Sequence, residues 1–250
     1  MGDDIIILDA GTGLRLLGQS LLKEFPAQPL NLTLLISHTH WDHIQGLPFF
    51  APIYESNCRL RILGGEGARN GLTGALTGQM ESIYFPVPFS KLPSNIEIEE
   101  LQEFHFAVGH TLVRAHRANH PGFCVGYRLF CPQGLICFFP DTEPRPGEDS
   151  EMVDFIRDAD VLILDSQYDQ SEYSAHRGWG HGCVEASVDL ALRAGVKKLV
   201  MFHHDPSHDD KKLDDMVRHA RQLVDDRKGK LKVIAAREGL VLPVGPTAGS

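Results

Sequence analysis

Cysteine is scarce and unpaired in this 250-residue chain: Cys58, Cys124, Cys131, Cys137 and Cys183 form no CxxC pair. An odd number at wide spacing argues against a disulfide framework and reads as buried, reduced thiols. No apolar run approaches the ~20 residues that a membrane-spanning helix needs, which removes the membrane as a partner. The N-terminus lacks the basic start and apolar stretch of a signal peptide, so the expected location is the cytoplasm. Positive charge is in deficit, with 24 Lys and Arg against 33 Asp and Glu and a net charge of -9. Phosphate backbones are held by basic patches, so a polymeric nucleic acid is not the expected partner. A small anionic substrate stays open, because bound metal cations reverse the local sign. There is no short-period repeat, no low-complexity segment and no linker long enough to divide the chain.

What remains is an ordinary globular composition, 42% hydrophobic and 23% charged, in a chain long enough to bury a sizeable core. One domain over 1–250 is expected. Ile5 to Leu8 reads as a buried strand stopped by Asp9-Ala10-Gly11-Thr12-Gly13, Leu14 to Phe25 as a helix, and Leu32 to Ile36 as a second buried strand. Ile44 to Tyr54 reads as a short helix broken at Pro48 and Pro52, Arg59 to Leu63 as a strand, Leu72 to Tyr84 as helical, and Phe85 to Phe89 as a stiff surface loop. Strands follow at Ile96 to Leu101, Phe104 to Val108 and Thr111 to Arg117, then a hairpin of Val125 to Cys131 with Leu135 to Phe139. The second half predicts helices at Glu151 to Arg157, Val184 to Ala194 and Asp209 to Asp226, and strands at Val161 to Leu164, Lys198 to Phe202, Leu231 to Ala235 and Leu240 to Pro243. Strand, polar turn, helix, strand is the rhythm of a layered α/β fold.

Thirteen histidines are many, and they cluster. The densest string is His38-Thr39-His40-Trp41-Asp42-His43, directly after the strand Leu32 to Ile36. Four potential ligands in six residues can surround a metal where a strand-end loop turns the backbone sharply. His38 and His40 can point one way, Asp42 and His43 toward a neighbouring position. Imidazoles with a carboxylate suit zinc, and also iron or manganese. Trp41 is expected to pack under the loop.

The HxHxDH string resembles the metallo-β-lactamase superfamily, and further motifs follow in order: Asp9-Ala-Gly-Thr-Gly13, Asn119-His120-Pro121-Gly122, Pro140-Asp141-Thr142, and His203 after the strand ending at Phe202. The resemblance implies an α/β fold, the αββα sandwich, with early N-terminal strand or strands missing here, since this chain begins almost at the Asp9 motif. A bare sheet edge invites pairing with another chain, and a homodimer is one expectation. The ligand set implied is His38, His40 and His120 for a first metal, Asp42, His43 and His203 for a second, and Asp141 bridging both. The ions expected are two divalent cations, Zn2+ first, with Mn2+ or Fe2+ as alternatives. Strand alternation lets only one of His203 and His204 face the site, and the family pattern favours His203. Asp9 would orient a ligand imidazole through its free N–H, or be a turn residue. His204, His208 and His176 are expected to be structural or solvent-exposed, with His208 a candidate for the pocket mouth.

His181, in Gly180-His181-Gly182 and 22 positions before His203, resembles a histidine of the phosphodiesterase branch that includes ribonuclease Z and phosphoribosyl cyclic phosphate phosphodiesterases. That resemblance implies attack on a phosphodiester by a metal-activated hydroxide, with His181, and Asp42 nearby, as catalytic proton donors to the leaving oxygen. Only 20 residues lie between His120 and Asp141, and there is no basic, glycine-rich insertion of the kind ribonuclease Z uses to clamp tRNA. A small, even cyclic, phosphodiester is therefore the expected substrate. The competing expectations are another hydrolase of the family (lactonase, thioesterase or β-lactamase) and a non-catalytic metal-binding protein.

Overall fold

The computed structural model describes residues 5–65 and 71–245. They fall into two compact units, Met1–Phe104 and His105–Ser250.

The first unit is built on four strands, β1 (Ile5–Leu8), β2 (Leu30–Ile36), β3 (Cys58–Gly64) and β4 (Asn95–Glu100), all parallel and in the order β1-β2-β3-β4. Parallel strands covered on both faces read as near-continuous apolar runs, which is why Leu32 to Ile36 was legible. Leu32, Leu34 and Ile36 point to the face that carries helix α1 (Gly13–Glu24), where they pack with Leu14, Leu21, Phe50 and Ile53. Burying each such side chain contributes ~1.5–3 kcal/mol. Helix α1 approaches the 3-10 turn Ala51–Tyr54 closely at Gly18, where a Cβ would stand 2.8 Å from the Phe50 ring and 2.9 Å from Pro52.

Three expectations in this unit are corrected. In place of the helix expected over Ile44 to Tyr54, a four-residue helix α2 (Trp41–Ile44) closes the histidine string and is followed by 3-10 turns Leu47–Phe49 and Ala51–Tyr54, each with its proline in the first two positions. Proline is tolerated there because its missing N–H has no helical partner to lose. The helix expected over Leu72 to Tyr84 stops early, as α3 (Gly71–Gly78). Gly74 inside it weakens it by ~1 kcal/mol relative to alanine, and Gly78 stands at its end. Trp41 does not pack under its loop: it is 67% exposed, because His43 and Ile44 occupy the inward face of α2. The aromatic loop sits as expected, without regular structure over 85–88 before the turn Phe89–Lys91, and the Phe85 ring meets Phe49 edge-on.

The second unit holds seven strands in sequence order: β5 (His105–Val108), β6 (Thr111–Arg117), β7 (Val125–Cys131), β8 (Gly134–Phe139), β9 (Val161–Asp165), β10 (Lys198–Phe202) and β11 (Lys232–Ala235). From β5 to β8 the pairing is antiparallel; from β8 to β11 it is parallel. The parallel part is crossed by α4 (Ser150–Ile156), α5 (Gln170–His176), α6 (Val184–Arg193) and α7 (Asp210–Asp226). Val184, Val188 and Ala191 of α6, and Met216, Ala220 and Val224 of α7, recur at helical spacing and pack on Leu162, Leu164, Leu199, Met201 and Val233. The strand expected over Leu240 to Pro243 does not form; the chain turns there, and Pro243 has no N–H to give a ladder. No helix among the described residues is long and apolar enough to cross a membrane.

Candidate metal centre

In the first unit the site residues follow the ends of β1 and β2. Asp9 takes a left-handed backbone (φ 59°), which aspartate tolerates better than most residues, and this turns its carboxylate toward the end of β2. Its Oδ1 accepts from Ser37 N at 2.6 Å, and its Oδ2 accepts from Ser37 Oγ and from His43 Nδ1, each at 2.7 Å. A carboxylate only accepts, so His43 carries a proton on Nδ1, and its Nε2 lies 2.9 Å from Asp42 Oδ2. Ser37 Oγ gives its proton to Asp9, so it accepts from His38 Nδ1 at 3.1 Å, and His38 likewise presents Nε2. The His38 ring lies 4.4 Å from His40 and 4.3 Å from His43. His38 and His43 are buried; His40 and Asp42 are exposed. Gly46 closes this arrangement: its N–H donates to Ala10 O, and a Cβ there would fall 2.0 Å from Gly11 O.

In the second unit four more residues meet at strand ends. Asp141, just past β8, is buried and splits its carboxylate: Oδ2 is 3.9 Å from both His120 Nε2 and His181 Nδ1, while Oδ1 is 3.4 Å from His203 Nε2. His120 Nδ1 donates to Gly180 O at 3.1 Å, and His203 Nδ1 donates to Gln167 Oε1 at 3.0 Å. His181 Nδ1 shares a 2.9 Å hydrogen bond with Asp165 Oδ2, and its ring stacks on His203 at 4.8 Å. His203 itself has φ 56°, a sharp turn directly after β10. Asp141, His181 and His203 each offer a ligand atom within 4.8 Å of the others, a spacing that could hold a metal ion. Asp165 is wholly buried at the end of β9, and burial pushes its carboxyl well above the usual range against the pull of His203 and the Thr142 and Gln167 amides.

His203, not His204, stands beside Asp141; His204 Nε2 donates to Ala236 O at 3.3 Å, and burial lowers its pKa. His208 pairs with Glu172 at 2.9 Å, and His176 donates to Glu172 O and stacks on Tyr168, so both brace α5.

The donor set fits a divalent metal. It is imidazole and carboxylate, the chemistry of zinc and its first-row neighbours. Four of the imidazoles, His38, His43, His120 and His203, have Nδ1 held by an oxygen, the arrangement that fixes the tautomer and aims Nε2 at a cation.

Sequence reasoning did not find Ser37, Glu143, Asp165 or Gln167. Each is a single polar residue at a strand end with no motif of its own. Asp165-Ser166-Gln167 closing an apolar strand was the one available signal.

Known proteins resemble this arrangement along most of its length. Residues 5–204 match the family described as the β-lactamase superfamily domain. Ribonuclease Z of Streptococcus equi subsp. equi (strain 4047) is 25% identical, over 80% of this chain and 79% of that protein. Among solved structures, the metallo-β-lactamase fold protein YhfI from Bacillus subtilis superposes with a TM-score of 0.66 at 18% identity, over 94% of this chain and 85% of that one. A diphosphatase of the PhnP family superposes with a TM-score of 0.64 at 17% identity, over 96% and 81%. At these identities the structures speak for the fold, and the fold is the metallo-β-lactamase fold.

Proposed function

This chain belongs to the metallo-β-lactamase superfamily, and from that premise we infer that it is a metal-dependent hydrolase that cleaves a small phosphodiester, a cyclic one included. One domain over 1–250 with a dinuclear centre is the organisation proposed. His38, His40 and His120 would hold the first cation, Asp42, His43 and His203 the second, and Asp141 would serve both. Zinc is the ion the donors suit best, with manganese or iron next. Such cations polarise a phosphoryl oxygen and lower the pKa of a coordinated water from about 15.7 toward ~7.

The chain's own groups supply the rest. The observation that carries the phosphodiester reading is His181, an imidazole beside Asp141 and hydrogen-bonded to the buried Asp165. Asp165 orients the ring, and His181 gives a proton to the departing alkoxide, a contribution of ~10²–10⁴ in rate. Asp42, exposed beside His43, assists at the mouth of the site. A relative named ribonuclease Z acts by name on RNA and a neighbour named a diphosphatase on a diphosphate, both phosphoryl substrates, and the net charge of -9 favours a small ester over a polymer. Buried cysteine thiols suit a reducing, cytoplasmic setting.

The experiment is metal analysis of protein purified without added metal, then a panel on the same sample: bis-p-nitrophenyl phosphate, a 2′,3′-cyclic nucleotide, an RNA, nitrocefin and a lactone. Two equivalents of transition metal and turnover of the cyclic phosphate are expected. Nitrocefin or lactone cleavage without phosphodiester cleavage would overturn the reading in favour of the family's other hydrolases, and RNA cleavage alone would overturn the small substrate.

A further inference from the structure

We propose that Glu143 is a positioning residue that holds the loop of His181 in register with Asp141. The inference rests on His181 being the proton donor, as read above. Glu143 is buried two residues after Asp141, yet none of the chemistry above uses it. Its carboxylate accepts from Tyr173 Oη at 2.7 Å, from Gly178 N at 3.0 and 2.9 Å, and from Gly180 N at 3.1 Å. Its backbone N–H donates to Asn119 O at 2.9 Å, and its carbonyl accepts from Asn119 Nδ2 at 2.7 Å.

Those partners are the immediate neighbours of the site. Asn119 precedes His120, and Gly180 precedes His181. The Gly180 carbonyl is the acceptor for His120 Nδ1. The Glu143 side chain therefore ties the loop of Asp141 to the loop of His181, and its backbone ties the loop of His120 to the same place. The loop around 177–182 has no regular structure to hold it, and Arg177, Gly178 and Trp179 at its tip are exposed. Its glycines have φ 86° and 89°, backbone that aims two N–H groups at one carboxylate. A Cβ at Gly180 would meet His120 Nδ1 at 2.5 Å, so only glycine lets the loop pass this close to that ring.

Three donors converge on Glu143, and a carboxylate accepts from all of them. Glutamine can keep its oxygen on the glycine amides and turn its NH2 to Tyr173, whose hydroxyl can accept; alanine can keep none of these bonds. The order of damage is therefore Glu143→Ala well beyond Glu143→Gln, with Tyr173→Phe milder still.

The test pairs a leaving-group comparison with amide exchange in the full chain as purified. On bis-p-nitrophenyl phosphate, whose departing phenolate needs little proton help, Glu143→Ala should lower kcat by no more than about threefold. On a 2′,3′-cyclic nucleotide, whose leaving group is an alkoxide, kcat should fall ~10²-fold or more, with KM within about threefold and bound metal unchanged. Glu143→Gln should recover most of that loss. Hydrogen exchange at the Gly178 and Gly180 amides should rise about tenfold or more in Glu143→Ala, with β9 and β10 unaffected. Equal losses on both substrates, or loss of metal in step with activity, would make Glu143 structural only and overturn the proposal. Unchanged exchange at Gly178 and Gly180 would overturn it as well, whatever the activity. Wild-type protein that cleaves neither ester would defeat the phosphodiesterase reading, while the exchange measurement still decides whether Glu143 holds the loop. Should Glu143→Ala fail to fold, Glu143→Gln and Tyr173→Phe carry the same comparisons.

Discussion

Replacing Asp9 by asparagine should change which nitrogen of His43 carries the proton, and through that weaken metal binding with little change in shape. The native carboxylate accepts from three donors, Ser37 N on Oδ1 and both Ser37 Oγ and His43 Nδ1 on Oδ2. Asparagine has one acceptor oxygen and one NH2 donor. If its NH2 faced Ser37 N, two donors would collide, and a backbone N–H cannot reverse its role. The amide must therefore keep its oxygen on Ser37 N and aim NH2 at Ser37 Oγ and His43 Nδ1. The hydroxyl can turn to accept; the imidazole can accept only by moving its proton to Nε2, the atom that should bind the metal. Disturbing such an outer partner typically costs 10–100-fold in metal affinity, or ~1.4–2.8 kcal/mol. The assay is zinc competition against a chromophoric chelator, with ¹⁵N imidazole shifts reporting the tautomer. Asp9→Ala is the contrast: it strands the Ser37 N–H and His43 Nδ1–H in a buried place, at ~1–3 kcal/mol each, and should show mainly as lost stability. An Asp9→Asn variant that binds zinc within about threefold of wild type, or that keeps its proton on Nδ1 of His43, would refute the reasoning.

Three further outcomes can be checked. His181→Ala should lower turnover of an alkoxide-leaving phosphodiester by ~10²–10⁴ while zinc content stays at the wild-type value; zinc lost together with activity would make His181 a ligand. Leu34→Ala removes a side chain with no exposed surface from the cluster under α1 and should cost ~2–5 kcal/mol in urea unfolding; a loss below about 1 kcal/mol would contradict that packing. Asp169 caps α5 and pairs with Lys212: burial alone would raise its pKa, but Lys212, Ser171 and the Glu172 amide hold it far below the usual range. A depressed carboxylate stabilises the fold above its unfolded pKa of ~3.9 and loses that contribution as pH falls through the folded value. The stability gap between wild type and Asp169→Ala, ~0.5–2 kcal/mol, should therefore be flat above about pH 4 and shrink below it, as followed by melting temperature; a gap that widens in acid would reverse the assignment.

The strands were legible because parallel strands buried on both faces carry unbroken apolar runs, as Leu34 to Ile36 in β2, Val161 to Leu164 in β9 and Leu199 to Phe202 in β10 do. Helix α5 was missed for the opposite reason: none of its residues is buried, so it shows no apolar period. Its only sequence mark is the capping box, Asp169 accepting from Ser171 N and Glu172 N while Glu172 accepts from Asp169 N. Leu240 to Pro243 erred the other way, being apolar enough for a strand but paired with none. At the site, donors packed into six residues announce themselves, whereas Asp165, Gln167 and Glu143 act across 16 to 37 positions of sequence. Nothing local marks a carboxylate whose partner is a glycine amide in a distant loop. Asp9 was readable only as one of two alternatives, and its 2.7 Å contact with His43 decides between them.

Both sheets are laid down in the order in which the chain is read, β1 to β4 and then β5 to β11, so each new strand meets a neighbour already made. A ribosome adds about 5–20 residues per second. The 160 positions from His43 to His203 therefore take roughly 8–32 s at that pace. During that interval the nascent polypeptide displays its first histidines to the cell's metal pool with the last donor still unwritten. Loading of the proposed metal pair would then be an act of the finished chain, while the Asp9–Ser37 clasp, whose bonds all lie within the first unit, already fixes how the His38 and His43 rings are turned.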